Sequence, residues 1–272
     1  MEQTAGKHFT VSADYLLKFT HNGYDFSVLG ATPITFPIEW HNSKIAGFVL
    51  RTAVPNFHGF SAFTVMSSVS ARFFPAQIGG LGATNMSGAP FRIDHDEKFN
   101  QTTNLQYQRK KDGPWASFNW RFDSGQVAGN VPFAIDAVTP VDLTHLTPDE
   151  QMQAGLECGS QRPSLTAPLT TCSPSQYRSS LVSIPSPGKE NDDHNPPRIA
   201  PRNLFDLSVG QDSVFHSLLR RSILRSDSQT LSAQLTIVNL ANKVALYNFL
   251  STFSGTHYVT PRTLTAEVAV HF

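Results

Sequence analysis

Apolar and polar residues alternate along several stretches of this chain, with the period of two that is typical of half-buried β-strands. In residues 8–20, one face carries Phe9, Val11, Ala13, Tyr15, Leu17 and Phe19. The other face is polar apart from Leu16. The same alternation, less regular in the second segment, predicts eight strands at residues 8–20, 43–54, 58–74, 98–109, 114–125, 203–216, 229–242 and 262–272. The pattern therefore predicts an all-β fold.

The predicted strands carry different chemistry on their two faces. The third strand places together the apolar residues Phe63, Val65, Val69, Ala71 and Phe73. In the fourth strand, Leu105 and Tyr107 oppose a face of uncharged amides and hydroxyls. The last strand alternates most regularly, with Leu264, Ala266, Val268, Val270 and Phe272 on one face. These patterns indicate a sheet with one apolar face and one polar face.

The connections between the predicted strands alternate between short and long. Lys110-Lys111-Asp112-Gly113 predicts a tight hairpin turn, whereas residues 21–42 and 75–97 are long connections. Short periplasmic turns and long extracellular loops are typical of outer-membrane barrels. The sequence therefore predicts an antiparallel up-and-down transmembrane β-barrel segment of about eight strands, closed or left as an open curved sheet, with long extracellular loops. The final strand then runs inward and leaves Phe272 at the periplasmic rim.

One connection, residues 126–202, is much longer than the others and rich in proline. We interpret it as a loop inserted within a barrel segment that spans residues 1–272, either functional or partly disordered, with little regular structure. The exception is Thr147-Pro148-Asp149-Glu150, where Thr147 can cap a helix and Glu150 can complete a capping box. A two-turn helix is therefore expected after Thr147.

Composition and charge exclude several classes of partner and structure. Charged residues make up 15% of the chain, and 21 basic residues balance 21 acidic ones. No global field attracts nucleic acid, so no nucleic-acid partner is expected. No run of about 18 apolar residues is present, which excludes a membrane-spanning helix but not a barrel whose strands span the membrane. The first seven residues lack the apolar core of a signal peptide, so either the chain is cytosolic or its beginning is missing.

Few residues in the sequence suggest chemistry. Cys158 and Cys172 are spaced to allow a disulfide in an oxidising compartment, with free thiols as the alternative. Two clusters, Asp94-His95-Asp96-Glu97 and Asp192-Asp193-His194, have oxygen ligands for Ca²⁺ or Mg²⁺, but we interpret them as solvated loop ends and predict no metal site. The glycine-rich segment 78–82 lacks the Lys and Ser/Thr of a phosphate-binding loop. With no catalytic motif present, we predict neither an enzyme nor a cofactor.

Aromatic residues cluster near the ends of the predicted strands. These are Trp40, Phe57, Trp115, Phe122, Tyr247, Phe249 and Tyr258. Membrane barrels carry aromatic girdles at both interfaces, whereas a soluble sandwich would bury such residues in its core. The aromatic positions are therefore compatible with both a membrane barrel and a soluble sandwich.

Several segments resemble the barrel of TonB-dependent outer-membrane receptors. They are Asn195-Pro196-Pro197-Arg198 with the following residues to Asp206, then Val238-Asn239-Leu240-Ala241-Asn242-Lys243, and the terminal strand Leu264 to Phe272. Arg92-Ile93-Asp94-His95-Asp96 and Trp120-Arg121-Phe122-Asp123-Ser124-Gly125 are similar to segments of the large receptors with a carboxypeptidase-regulatory-like domain. The resemblance implies the C-terminal part of such a barrel. It also implies that Phe272 belongs to the signal read by the barrel insertion machinery.

The chain differs from that family in what it lacks. The receptors have a signal peptide, a TonB-contacting segment, a plug domain and a 22-strand barrel, so we expect a truncated or split gene product here. The TonB system would act only through the missing N-terminal part, and no energy-coupling residue can be assigned in this sequence. The expected partners are outer-membrane lipid and an extracellular ligand whose class and binding residues the sequence leaves open.

Three hypotheses follow. The first is a fragment of an outer-membrane active transporter in a Gram-negative-type cell, with its apolar face against lipid and its Asn/Gln/Thr face lining a lumen. The second is a self-contained eight-strand outer-membrane barrel. The third is a soluble all-β module of the carbohydrate-binding type, in which the Phe-rich faces form a core between two sheets.

Overall fold

The computed structural model describes residues 2–5, 8–28, 35–79, 90, 92, 96–111, 113–189, 195–214, 230–251 and 255–271. The chain is almost entirely β in these ranges. The strands are β1 (Glu2–Ala5), β2 (Phe9–Val28), β3 (Thr35–Phe57), β4 (Phe60–Gly79), β5 (Asn100–Gln108), β6 (Pro114–Asp123), β7 (Val141–Asp142), β8 (Leu156–Cys158), β9 (Thr171–Cys172), β10 (Tyr177–Ser179), β11 (Val182–Ser183), β12 (Arg198–Ile199), β13 (Arg202–Gln211), β14 (Thr230–Val238), β15 (Leu246–Ser251), β16 (Gly255–Tyr258) and β17 (Thr263–His271). One helix, α1, spans Pro148–Gln153. No helix in the described ranges is long and apolar enough to cross a membrane.

The main sheet has nine strands in the order β1-β2-β3-β4-β5-β6-β13-β14-β17, and every neighbouring pair is antiparallel. Eight of these strands are the predicted ones, in the predicted order. The up-and-down antiparallel prediction is therefore confirmed. The sheet is open, with β1 and β17 at opposite edges, so among the described residues it does not close as the small-barrel hypothesis requires.

The connections leave the sheet at two different ends. At one, which we name the turn end, His58 and Gly59 join β3 to β4, residues 109–113 join β5 to β6, and β17 finishes at His271. At the other, the loop end, residues 80–99, 124–201 and 239–262 connect successive strands. Most connections follow the asymmetry predicted from the sequence, with residues 29–34 as a short exception at the loop end. At the turn end, the connection of residues 212–229 is longer than the other connections there.

Strands β2, β3 and β4 are longer than predicted, with 20, 23 and 20 residues. The predicted connection 21–42 is wrong, because β2 pairs with β3 from Thr10–Ala53 to Val28–Thr35 and only residues 29–34 separate them. The apolar alternation stops at a local irregularity: Asn22 has a φ of 49°, and the β3–β4 register shifts between Trp40 and Asn42. Beyond this irregularity the backbones of β2 and β3 pair again, although apolar and polar residues no longer alternate along the sequence.

Strand register gives the sheet one apolar face. It carries Tyr15, Leu17, Phe48, Leu50, Phe60, Leu105, Tyr107, Phe118, Leu207, Val209, Leu235, Ile237, Leu264 and Val268. The opposite, polar face is rich in amides and hydroxyls, including those of Asn104, Ser117, Asn119, Ser208 and Thr236. Hydrogen bonds across neighbouring strands, such as Asn104 Nδ2 to Ser117 Oγ at 3.1 Å, satisfy that face.

The apolar set predicted for the third strand lies on the polar face. Phe63 is paired with Asn104 and Val65 with Thr102, so these side chains stand among amides and hydroxyls. The even-numbered residues Phe60 and Ala62 of β4 belong to the apolar face instead, where Thr64 and Thr103 form a hydrogen bond of 3.0 Å with each other. Alternation within one strand separates its two faces, but only pairing with neighbours decides which face is which.

The loop end carries a compact body that we name the cap, formed by residues 126–189 and 195–200 together with the β15–β16 hairpin. Its buried core includes Leu143, Leu146, Leu156, Val182 and Ile199 from the long connection, and Leu246 and Phe249 from the hairpin. The regular elements are as short as predicted. The prediction missed this core, because its apolar residues follow neither a helical nor a strand period.

Candidate ligand-binding site at the loop end

Polar contacts and one covalent bond stabilise the cap in addition to its buried core. Helix α1 begins as predicted, because Thr147 Oγ1 accepts from the amide of Glu150 at 3.3 Å and Glu150 Oε2 accepts from the amide of Thr147 at 2.7 Å. The side chain of Gln151 is buried and donates to the carbonyls of Leu143, Leu146 and Leu169 at 2.9–3.2 Å. Cys158 and Cys172 form a disulfide between β8 and β9.

Buried ion pairs join the cap to the sheet. Arg198 Nη2 donates to Asp96 Oδ2 at 2.5 Å, and Arg198 Nη1 donates to the carbonyl of Asp96 at 2.7 Å. The amide of Ala71 in β4 donates to the other carboxylate oxygen of Asp96 at 2.7 Å. Gly125 lies next to this contact with a φ of 97°, and a Cβ there would approach the carbonyl oxygen of Ile199 to 1.8 Å. The geometry therefore requires glycine at this junction.

Arg202, at the start of β13, forms a second junction between the sheet and the cap. Its side chain is 2% exposed, and Nε lies 3.0 Å from Asp123 Oδ2. Nη1 donates to the carbonyl of Leu246 in the hairpin at 3.0 Å, and the guanidinium lies 5.5 Å from the ring centroid of Tyr247. Arg202 thus connects the end of β6 to the cap through an ion pair, a hydrogen bond and a cation–π contact.

Glu97 lies beside this layer of charges, in the connection before β5. Burial raises its pKa, and the negative charge of Asp123 acts in the same direction. The amide of Gly125, which donates to Glu97 Oε1 at 3.0 Å, and the positive charge of Arg202 act to lower that pKa. Desolvation is the largest influence, so the net direction is upward.

A cleft of about 430 Å³ opens between the polar face of the sheet and the β15–β16 hairpin. It is lined by Arg121, Asp123, Arg202, Leu204, Val238, Asn239, Tyr247, Asn248, His257, Tyr258, Val259 and Thr260. This volume lies in the range of about 300–1,000 Å³ that is usual for small-molecule sites. The cleft is the candidate binding site.

Asp206, on the polar face of β13, holds two of the residues that line the cleft, Arg121 and Asn239. Its carboxylate accepts from Arg121 Nη2 at 3.3 Å, from Asn119 Nδ2 at 3.3 Å and from the backbone amide of Asn239 at 2.9 Å. Asn239 has a φ of 52° and donates through Nδ2 to the carbonyls of Lys243 and Thr260. The segment Val238 to Lys243, part of the receptor resemblance, is thus a turn that shapes the cleft.

The residues singled out in the sequence are distributed unevenly over this site. Phe272, Asp94, His95 and residues 192–194 lie outside the described residues, and so do most of residues 78–82. Asp96 and Glu97 serve the junction, and no three His, Cys, Asp or Glu side chains come together as a metal site within the described ranges. The cleft was not predicted from the sequence, because its arginines and tyrosines come from strands and a hairpin far apart in the chain.

Three of the aromatic residues expected at strand ends belong to the cap hairpin. Phe249 is fully buried in the cap core, and Tyr247 and Tyr258 line the cleft. Trp115 lies on the polar face and donates from Nε1 to Asp212 at 2.8 Å. Only Phe57 and Phe122 of the described set lie on the apolar face, near opposite ends of the sheet. The expected girdle is therefore wrong for most of the residues assigned to it.

Comparison with known proteins gives a similarity in structure and no match in sequence. No protein-family model and no curated protein matches the sequence. Among solved structures, the chain is similar to the outer membrane transporter YddB from Escherichia coli, with 12% sequence identity and a TM-score of 0.47. The similarity covers 99% of this chain and 31% of the transporter, so this chain spans about a third of that protein's length. Similarity at this level carries no conclusion about function.

Proposed function

We propose that this chain is a sector of an outer-membrane β-barrel that takes part in the uptake of an extracellular ligand. The apolar face would contact lipid, the polar face would line the lumen, and the loop end with its cap would face the cell exterior. No enzymatic activity is part of the proposal.

The observation that carries it is the exposure of the apolar face. Tyr15 and Phe48 are direct cross-strand partners, and their side chains are 71% and 58% exposed. At the far edge, Leu264 and Val268 are 66% and 68% exposed. A soluble protein rarely leaves so wide an apolar surface uncovered, whereas hydrocarbon is the natural neighbour of such a face. A sandwich would cover it with a second sheet, so the exposure argues against the soluble module.

Strand length and compartment support the same proposal. Strands β5, β6, β13, β14 and β17 have nine or ten residues, and a tilted strand needs about 9–11 residues to cross the hydrocarbon core. The disulfide in the cap is suited to an oxidising environment such as the periplasm or the cell exterior.

The finer features of the proposal rest on the receptor resemblance. Dependence on TonB would act through a part of the receptor outside this chain, and Phe272 would contribute to recognition by the insertion machinery. Both are proposals about the complete receptor, and no residue described above carries energy coupling.

Orientation can be tested by labelling intact cells. We would place one cysteine in the cap, Val138→Cys, and one at the turn end, Lys111→Cys, because Val138 is 82% exposed and Lys111 is also exposed. The protein would be expressed in a Gram-negative host and treated with a membrane-impermeant maleimide. The cap variant should be labelled on intact cells and the turn-end variant only after lysis. Extraction of the wild-type protein without detergent would contradict the proposal.

A further inference from the structure

Two amide oxygens that line the cleft already have hydrogen-bonding partners, and one lining carboxylate has a counter-charge. Oδ1 of Asn239 accepts from the amide of Lys243 at 2.8 Å, and Oδ1 of Asn248 lies 3.1 Å from Nδ1 of His257. Asp123 is paired with Arg202. A ligand that relies on donating hydrogen bonds to these side chains would have to displace existing partners.

Donors remain free on Arg121. Its side chain is 41% exposed, and among the described residues Nη2 alone of its nitrogens is bonded, to Asp206 at 3.3 Å. Within the part of the chain that the structure describes, Arg121 Nε also lacks a hydrogen-bond partner, but this atom is buried, so the donors left for a ligand are those at the exposed tip of the guanidinium. Asp206 also accepts from Asn119 and from the amide of Asn239, so two other donors hold its carboxylate if Arg121 turns towards a ligand. A guanidinium with spare donors matches a planar acceptor such as a carboxylate.

The wall of the cleft offers apolar surface beside this guanidinium. The side chains of Tyr247 and Tyr258 are 52% and 46% exposed. Both are held in place, because Tyr247 contacts the Arg202 guanidinium and the Tyr258 hydroxyl donates to the carbonyl of Gln153 in the cap at 3.0 Å. Pre-positioned aromatic rings bind a ligand at a small entropic cost.

We propose that the cleft binds a small ligand through a carboxylate, which Arg121 grips while the two tyrosines contact the rest of the molecule. This deepens the proposed function and rests on it for the access of an external ligand to the loop end. A carboxylate of this kind occurs at the C-terminus of a short peptide and on a sugar acid, and the experiment separates these two sources.

The test is calorimetric titration of the full chain in detergent micelles with two pairs of probes. One pair is N-acetyl-trialanine and its C-terminal amide, and the other is trigalacturonic acid and neutral galactotriose. We expect one acid to bind and its neutral partner to bind about tenfold more weakly or not at all, because a hydrogen bond to a charged group is lost. Equal binding within each pair, or no binding of either acid up to about 1 mM, would overturn the proposal.

Variants assign the binding to the cleft. Arg121→Met should weaken the acid about tenfold or more, whereas Arg162→Met, the same change at a 79% exposed position in the cap, should leave binding unchanged. If Arg121→Met fails to fold, Arg121→Lys keeps the charge, loses the planar fork and should still weaken binding. Wild-type affinity in a folded Arg121 variant would overturn the proposal. Extraction with and without detergent tests the membrane proposal separately. Failure of the cleft proposal can therefore be distinguished from failure of the membrane proposal.

Discussion

Arg198 and Asp96 are 102 residues apart in the chain and meet in an ion pair of 2.5 Å at the junction of cap and sheet. Their side chains are 8% and 2% exposed. Asp96 also accepts from the amide of Ala71 in β4. One carboxylate thus joins β4, the segment before β5 and the cap, so the position of the cap over the polar face depends on it.

Removal of one member of this pair should be costly. Asp96→Asn would leave the Arg198 guanidinium buried without its counter-charge, and we expect a loss of about 3–5 kcal/mol in unfolding free energy. Arg162→Met in the exposed Arg162–Glu157 pair should cost less than about 1 kcal/mol. Urea titration in micelles, followed by near-ultraviolet circular dichroism, measures both. Equal effects of the two changes would mean that the buried pair does not hold the cap.

Glu97 should make stability depend on pH in a definable direction. Its pKa in the folded state is above the ordinary 4.5, so the folded state binds more protons than the unfolded state across that interval. Its contribution is therefore fully favourable below about pH 4.5 and is lost as the pH rises through the folded pKa. Glu97→Gln retains an oxygen for the Gly125 amide and removes the charge.

The comparison between wild type and Glu97→Gln isolates this group from the other carboxylates. We expect the variant to lose less stability than the wild type when the pH is raised from about 4 to 7, by urea titration at each pH. Parallel pH profiles for the two proteins would show that Glu97 does not titrate with a raised pKa.

The disulfide should stabilise the cap and have no effect on the main sheet. Cys158 and Cys172 are 14 residues apart. Closure of a loop of this size lowers the entropy of the unfolded chain, which stabilises the folded state by about 3 kcal/mol. The double change Cys158→Ser and Cys172→Ser should lower the unfolding free energy of the cap by about that amount and leave membrane integration intact. Separate probes, a cap tyrosine signal and resistance to alkaline extraction, follow the two properties. Loss of membrane integration would contradict the separation of cap and sheet.

A charge should be tolerated on one face of β14 and not on the other. Leu235 lies on the apolar face between Val209 and Ala266, and Gln234 lies on the polar face opposite Glu267. Leu235→Arg should cost about 2–4 kcal/mol if it enters the middle of the bilayer. Gln234→Arg, the matched control, can pair with Glu267 and should cost little. The yield of membrane-integrated protein under urea challenge measures the difference, and comparable yields would argue against a lipid-facing Leu235.

Features that local rules determine could be predicted from the sequence, whereas features that distant pairing decides could not. Alternation located eight strands, Lys110 to Gly113 close the β5–β6 hairpin with a 3.0 Å hydrogen bond, and the capping box at Thr147 starts the helix. The face of Phe63 depends on its partner Asn104 in β5, and the cap core joins Leu143 to Phe249 across about a hundred residues. The cleft shares this origin, since Arg121 and Tyr247 come together only through the fold.

Contact between the apolar face of the sheet and lipid can be measured by a nitroxide scan of residues 263 to 270 in β17, in reconstituted bilayers, with collision rates measured for oxygen and for a water-soluble nickel complex. We expect a period of two, in which labels at Leu264, Ala266 and Val268 collide mainly with oxygen and those at Thr265 and Glu267 do not. High nickel accessibility at all positions, or no alternation, would contradict this contact with lipid.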